Sequence, residues 1–275
     1  MLISPMGKKT ILITGATEGI GKLVATDLAK LLPDANILIH GRNGEKLART
    51  AEEIKEKTGN RNIETCLADF SSMQEVRTMS EQILQKHASI DILINNAGAG
   101  FSAPRLGKEG TETRFTVNYL APFLLTHLLL PAIIKADSSR IINVASAGQS
   151  PIVFDDLMME KKFDGVTAYT RSKLAIIMFT FDLAEALKKE NVTVNCLHPG
   201  TYLDTGMVRE AGIQPLGSAQ SGADAVFYLA ISPDLKNTSG KYFNIKKETQ
   251  ANAQAYDLNV RKKLHRFGLM LTGLE

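Results

Sequence analysis

The chain has 275 residues, 44% of them apolar and 22% charged, which supports one large core and argues against wholesale disorder. A formal net charge of +3 supplies no strong basic field, so nucleic acid is excluded as the natural partner. The five histidines are scattered and the two cysteines, Cys66 and Cys196, lie in apolar strand-like runs, so no metal centre is expected and the thiols read as reduced and packed.

The opening run Met1 to Lys9 is broken by Pro5 and Gly7 and leads into no long apolar stretch, so it does not read as a signal peptide. No stretch reaches ~18 uninterrupted apolar residues. No bilayer span is therefore expected, and a cytoplasmic location is the default.

The first β-rich run is Lys9 to Thr14, with Ile11-Leu12-Ile13 continuously apolar. It leads straight into Thr14-Gly15-Ala16-Thr17-Glu18-Gly19-Ile20-Gly21, which opens a helix expected over Gly19 to Leu32. Glycines there permit a tight turn and a close backbone approach to a pyrophosphate, and a helix N-terminus offers free N–H groups to that anion. A glycine cluster alone marks only a strand-to-helix turn. Its place between the first strand and first helix of an alternating chain points to a dinucleotide.

The second run, Asn36 to Gly41, is followed by Arg42 and Asn43. An NAD site usually places an acid here to hold the ribose 2′-hydroxyl. This chain places none, and the donor fork of Arg42 suits a 2′-phosphate. NADP(H) is favoured over NAD(H), with a surface arginine as the plain alternative. Glu18, inside the phosphate turn, argues the other way.

A helix is expected over Gly44 to Lys57, with Leu47, Ala51 and Ile54 on one face, then a strand over Asn62 to Leu67. A helix over Ser72 to Lys86 repeats the pattern with Val76, Met79 and Ile83. Further strands are expected over Ile90 to Asn95, Arg140 to Ala145, Val192 to His198 and Lys241 to Asn244. Nearly continuous apolar strands alternating with helices predict an α/β fold, a doubly wound parallel sheet of about seven strands covered on both faces. No linker or repeat interrupts the pattern, so residues 1–275 read as one domain with a helical extension from about residue 251. There Val260, Leu264, Phe267 and Leu271 mark an amphipathic helix, although Gly268 inside it costs ~1 kcal/mol. The basic cluster Arg261-Lys262-Lys263 reads as a solvated face, with contact to a membrane surface as the alternative.

Further motifs follow the glycine turn in order: Asn95-Asn96-Ala97-Gly98, Asn118 within Thr116-Val117-Asn118-Tyr119, Ser146 after Asn143-Val144-Ala145, Tyr169-Thr170-Arg171-Ser172-Lys173, and Pro199-Gly200. Together with Gly-x-x-x-Gly-x-Gly they resemble the short-chain dehydrogenase/reductase family over roughly residues 8 to 245. The 23-residue interval from Ser146 to Tyr169, the segment Thr111 to Asn118 and the tail are similar to the retinol-dehydrogenase-like branch.

The resemblance implies a Rossmann-type sheet and a catalytic set of Asn118, Ser146, Tyr169 and Lys173. It implies cofactor contacts from Gly15, Thr17, Glu18, Gly19, Ile20, Gly21, Arg42 and Asn43. Asp69 and Phe70 would flank the adenine, and Asn96, Ala97 and Gly98 would line its ribose. Tyr169, Lys173, Pro199 and Gly200 would meet the nicotinamide end, where the family's carboxamide contact falls to Thr201 or to Thr205. Asp69 also reads as a simple cap before the next helix. The family's habit of pairing the helices that carry Asn118 and Tyr169 implies a homodimer or homotetramer.

Reducing a ketone needs a hydride on carbon and a proton on oxygen. Moving a tyrosine from a pKa near 10 to about 7 takes roughly 4 kcal/mol. One exposed ion pair supplies ~0–1 kcal/mol. A partly desolvated site with two cations, Lys173 and the oxidised nicotinamide, meets the need. Tyr169 then acts as general acid in reduction and general base in oxidation. Ser146 donates to the substrate oxygen, where charge develops. By resemblance, Asn118 holds a water that links Lys173 to solvent.

A second Tyr-x-x-x-Lys, Tyr242 with Lys246, begins in a strand, where residues four apart do not share a helical face. It reads as ordinary strand and loop.

A catalytically silent dinucleotide-binding redox sensor is the competing reading, although such a protein would be expected to lose Tyr169 or Lys173. A nucleotide-sugar epimerase needs a larger C-terminal region than this chain offers. A serine hydrolase lacks its Gly-x-Ser-x-Gly elbow. The substrate, a small-molecule carbonyl or alcohol, depends on residues 150–167 and 202–217 and on the tail. Ile152, Phe154, Met158, Met159, Met207 and Ile213 either line an apolar pocket or simply pack.

Overall fold

The computed structural model describes residues 8–275, so the reading of the opening run lies largely outside the described residues. The apolar runs form strands β1 (Thr10–Ile13), β2 (Asn36–Gly41), β3 (Ile63–Leu67), β4 (Ile92–Asn95), β5 (Ser139–Val144), β6 (Val192–His198) and β7 (Lys241–Asn244), all in parallel. The expectation of about seven strands is one short. An exposed strand β8 (Lys247–Thr249) turns back antiparallel on β7. Its sequence, Lys-Glu-Thr, carries no apolar pattern and left no signal.

The sheet order is β3-β2-β1-β4-β5-β6-β7-β8. Winding reverses between β1 and β4, and a crevice opens beyond the carboxyl ends of strands at such a switch point.

Alternation along each strand builds two core layers. Ile11 and Ile13 enter one with α1 (Gly19–Leu31), α2 (Gly44–Thr58) and α8 (Ala219–Ile231). Leu12 enters the other with α3 (Met73–Lys86) and α6 (Gly165–Ala186). The two thiols lie in this second layer, and burial pushes both up to about 12, which leaves them inert.

The longest apolar helix runs continuously through α4 (Thr113–Phe115), a π-helical turn (Thr116–Leu120) and α5 (Ala121–Ile134). By length and composition it is the one helix among the described residues that could cross a membrane, but it packs against α3 and α6 inside the second layer. A short α7 (Gly206–Glu210) follows β6.

The tail forms α9 (Leu258–Thr272), started by Asp257, which accepts from Asn259 N at 2.8 Å, and stopped by Gly273 in the left-handed region. Gly268 is where α9 crosses the Tyr119–Phe123 face. A Cβ there would stand 2.8 Å from Tyr119 Oη and 2.9 Å from Phe123 Cζ. Close packing therefore requires the glycine that helix propensity disfavours. The basic cluster is divided: Arg261 pairs with Asp182 of α6 at 2.9 Å, Lys263 lies 4.4 Å from the Phe154 ring centroid, and Lys262 is exposed.

Candidate active site

The turn after β1 is tight and open to an anion. Gly15 adopts φ +63°, and a Cβ there would stand 2.7 Å from Ala97 Cα. A Cβ at Gly21 would stand 2.5 Å from Asn96 Nδ2. No side chain caps the start of α1, so its first N–H groups have no acceptor from the Glu18 side chain. Both observations fit a diphosphate group.

Thr14 and His40, neither among the expected cofactor contacts, hold this cradle. Thr14 Oγ1 accepts from Asn96 N at 2.9 Å and Ala97 N at 3.0 Å, and Asn96 Nδ2 donates to Thr14 O at 2.8 Å. These bonds join the ends of β1 and β4 across the switch point. His40 does the same between β2 and its neighbours. Gly15 N donates to His40 Nδ1 at 3.1 Å, Nε2 lies 3.0 Å from Ala68 O, and the ring stacks on Phe70 at 4.0 Å between centroids. Those contacts fit the neutral Nε2–H tautomer, and burial lowers the His40 pKa to about 4.

The adenine end is placed less simply than expected. The Phe70 ring is buried and stacked on His40. The Asp69 carboxylate accepts from Ser71 N at 2.9 Å and Ser71 Oγ at 2.8 Å, so its side chain organises the loop, as a cap would. Arg42 and Asn43 are exposed at the end of β2, and Asn43 caps α2 by accepting from Lys46 N at 2.9 Å.

At the end of β5 the second half of the site gathers. Asp164 accepts from Thr167 N at 2.7 Å and starts α6, which carries Tyr169 and Lys173 on one face, one turn apart. Lys173 is 4% exposed. Its Nζ donates to Val144 O at 2.9 Å and lies 5.7 Å from the Tyr169 ring centroid. The same Nζ lies 3.7 Å from where a Cβ on Gly98 would stand, which places it between β5 and the turn after β4.

Ser146 Oγ accepts from Gly148 N at 3.1 Å. Tyr242 Oη donates to Ser146 O at 3.0 Å, so the tyrosine of the second motif braces the serine loop, while Lys246 turns to the Tyr228 ring, 5.7 Å away.

Burial raises the Tyr169 phenol above its ordinary value, and the nearby Ser146 hydroxyl opposes that rise. Burial also lowers Lys173 to about 8. In the protein alone, then, desolvation outweighs the expected acidifying effect of the lysine on the phenol.

Asn118 sits in the π-helical turn, a feature common at functional sites. Its Oδ1 accepts from Ala99 N at 2.7 Å, and its Nδ2 donates to Ala99 O at 3.1 Å and Ser172 Oγ at 2.9 Å. Ser172 Oγ donates in turn to Tyr169 O at 2.7 Å. The amide thus links the turn after β4 to the backbone of Tyr169, with both its donor and acceptor groups engaged by protein.

Beyond Pro199-Gly200, the Thr201 hydroxyl lies 3.1 Å from His198 Nε2, whereas Thr205 Cγ2 is 3.3 Å from a Cβ on Gly19. Thr205 is the one brought to the glycine turn. Met207 follows it over the turn after β4, where a Cβ on Gly100 would lie 2.6 Å from Met207 Cγ. Of the other apolar residues singled out, Ile152 and Met159 are buried packing and Phe154 stacks on Phe267 at 5.6 Å.

One wall of the cleft rests on a buried ion pair. Arg114 and Glu112, each 1% exposed, meet at 2.8 Å. Arg114 also donates to Phe101 O at 2.9 Å, Pro104 O at 3.1 Å and Ala103 O. The Phe101 ring stands edge-on to Tyr169, 5.9 Å between centroids. An open groove of about 1040 Å³, lined by Ser138, Val192 and Arg261, lies at the amino ends of β5 and β6 and contains none of these site residues.

A profile described as short chain dehydrogenase matches residues 9–215. Retinol dehydrogenase 13 of Mus musculus is 36% identical, over 97% of this chain and 84% of its own. Polyprenol dehydrogenase of Homo sapiens is 31% identical, over 98% and 87%. A Shigella flexneri structure, described as a short chain dehydrogenase complexed with NADP, superposes with a TM-score of 0.68 at 26% identity, covering 86% of this chain and 97% of that one.

Proposed function

The chain belongs to the short-chain dehydrogenase family, in the branch of the retinol dehydrogenases, and from that premise we propose that it is an NADP(H)-dependent oxidoreductase acting on an apolar alcohol or its carbonyl product. The observation that carries this reading is the convergence of Tyr169, Lys173 and Ser146 at the end of β5, across from the uncapped start of α1. The nicotinamide supplies or accepts the hydride when bound. The protein's residues manage the proton and the geometry.

In reduction, Tyr169 gives its phenolic proton to the forming alkoxide and Ser146 donates a hydrogen bond to the same oxygen. In oxidation the phenolate takes the proton back. Lys173, held by Val144 O beside the Gly98 turn, stabilises the phenolate and holds the nicotinamide ribose. Asn118 positions Tyr169 through Ser172. The backbone N–H groups at Gly19, Ile20 and Gly21 bind the diphosphate, with Gly15, Thr17, Asn96 and Ala97 shaping the cradle. Thr205, rather than Thr201, makes the contact expected after Pro199-Gly200. Arg42 and Asn43 read the 2′-phosphate, a preference supported by the NADP in the Shigella flexneri structure.

Relatives named for retinol and polyprenol support a bulky apolar substrate. So do Val153, Phe163 and Val166 before Tyr169, and Tyr202 and Leu216 around Met207, all exposed. The test is turnover of reduced nicotinamide with a panel of ketones, aldehydes and retinoid- or sterol-like compounds, run in both directions. Dinucleotide binding without turnover across the panel would refute the enzymatic reading and leave a sensor.

A further inference from the structure

Glu18 fits poorly with a doubly charged phosphate, because it sets a carboxylate inside the turn that would receive the dinucleotide. In the structure that carboxylate is partnered. Its Oε2 accepts from Lys46 Nζ at 2.5 Å. Lys46 lies in the first turn of α2, four residues after Arg42, and Asn43 between them caps that turn.

The two segments are held in register from behind. Thr50 Oγ1 donates to Thr17 O at 3.4 Å, and a Cβ on Gly41 would stand within 3.7 Å of Thr17 Cβ. On its other side, Glu18 Oε1 lies 2.9 Å from where a Cβ on Gly206 would stand, at the start of α7. Arg209 of α7, paired with Asp204 at 2.7 Å, is raised by that partner first and by Glu18 more weakly. Glu18 therefore lies between Lys46 of α2 and the first residue of α7.

The Glu18–Lys46 contact is of the kind that contributes little net stability, since the side chains are 56% and 36% exposed. A phosphate dianion offers an ammonium more charge and more acceptor oxygens than one carboxylate does. We infer that Lys46 is a second cation of the 2′-phosphate site, held by Glu18 until a phosphate displaces the carboxylate, which then turns towards Arg209. The exchange discriminates between dinucleotides, because NAD(H) carries nothing there to draw the ammonium from Glu18. This inference rests on the NADP(H) reading above, and it turns the residue that argued against NADP(H) into part of the selection.

Dissociation constants for NADPH and NADH, read by nucleotide fluorescence without any substrate, test it. Lys46→Met, at a partly exposed helix position, is expected to weaken NADPH about tenfold and NADH less than about twofold. Glu18→Gln is expected to tighten NADPH about threefold, and to lose that gain when Met is also at position 46. Equal effects of Lys46→Met on both dinucleotides, or no effect on either, would overturn the inference. So would a Glu18→Gln gain that persists without the lysine, since Glu18 would then be a simple repellent. Retained NADPH preference in Lys46→Met, with its loss in Arg42→Asp, defeats this inference alone. Equal binding of both dinucleotides by the wild type defeats the NADP(H) reading, and the inference with it.

Discussion

The Lys173 ammonium donates to the Val144 carbonyl at 2.9 Å and is almost wholly buried. Its pKa of about 8 lies below the ordinary 10.5, so between those values the unfolded chain binds the extra proton. Stability therefore rises with pH across that window, and at neutral pH the cost of burying the charge is fully present. That cost is on the order of 3 kcal/mol. Lys173→Met removes it and leaves Val144 O without its donor, which returns about 1 kcal/mol of the gain. The variant is expected to lose turnover yet melt a few degrees higher at pH 7, the difference shrinking by pH 10. A variant less stable than wild type at pH 7 would show that the ammonium supports the fold.

Tyr169→Phe keeps the ring against Phe101 and removes only the hydroxyl. Turnover is expected to fall by about 10²- to 10⁴-fold, the range for a lost general acid/base. NADPH affinity should stay within about twofold, since Lys173 and the glycine turn are untouched. Because burial raises the phenol in the protein alone, the pH midpoint of the oxidation rate, measured with the dinucleotide bound, should lie below that of a direct spectroscopic titration of the Tyr169 phenol in the protein alone. Residual activity near wild type would refute the role of Tyr169.

His40 carries a pH dependence of the same physical origin, burial that disfavours the charged form, but here the ring is held neutral and bonded on both sides. Its folded pKa of about 4 lies below the ordinary 6.5. The stability it contributes is full above pH 6.5 and is lost as pH falls towards 4, where protonation removes the acceptor that Gly15 N uses. Urea unfolding should show a loss of about 2 kcal/mol between pH 7.5 and 5 from this group. In His40→Gln, which can keep one of the two bonds, that part of the pH slope should vanish. An unchanged slope would assign the acid sensitivity elsewhere.

The parts of the fold that were legible are those where one segment carries the whole pattern. β2, β6 and β7 fall on the expected residues because each carries its buried apolar side chains, such as Ile37-Leu38-Ile39, Val192 with Val194, and Tyr242-Phe243, within one short segment. The glycine turn, Asn95-Asn96 and the Tyr169–Lys173 pair were readable for the same reason.

What stayed hidden depends on partners distant in sequence. His40 looks like an ordinary strand residue until Gly15 and Ala68 meet it. Tyr242 reaches Ser146 across 96 positions. Arg114 looks like a helical surface cation and is instead among the largest fully buried side chains. The stacking of Phe70 on the His40 ring is likewise announced by no local pattern.

The outer face of α5 and α6 is covered by α9. Tyr119 Oη donates to Leu264 O at 3.3 Å, His265 lies 5.4 Å from Phe123 and 5.9 Å from His127 between ring centroids, and Arg261 holds Asp182. With α9 in place, the outer face of the helices carrying Asn118 and Tyr169 is occupied by the chain's own tail. Subunits can pair through that face only after α9 leaves it. Gly268→Leu drives a side chain into Tyr119 and Phe123, and overpacking of this kind costs typically about 1–3 kcal/mol. The wild type is expected to elute as a monomer in size exclusion with light scattering. The variant should melt lower and form dimers or larger species as the aromatic face is uncovered. A wild type that is dimeric, with its tail cleaved no faster by protease than the body, would show that pairing uses another surface or accommodates α9.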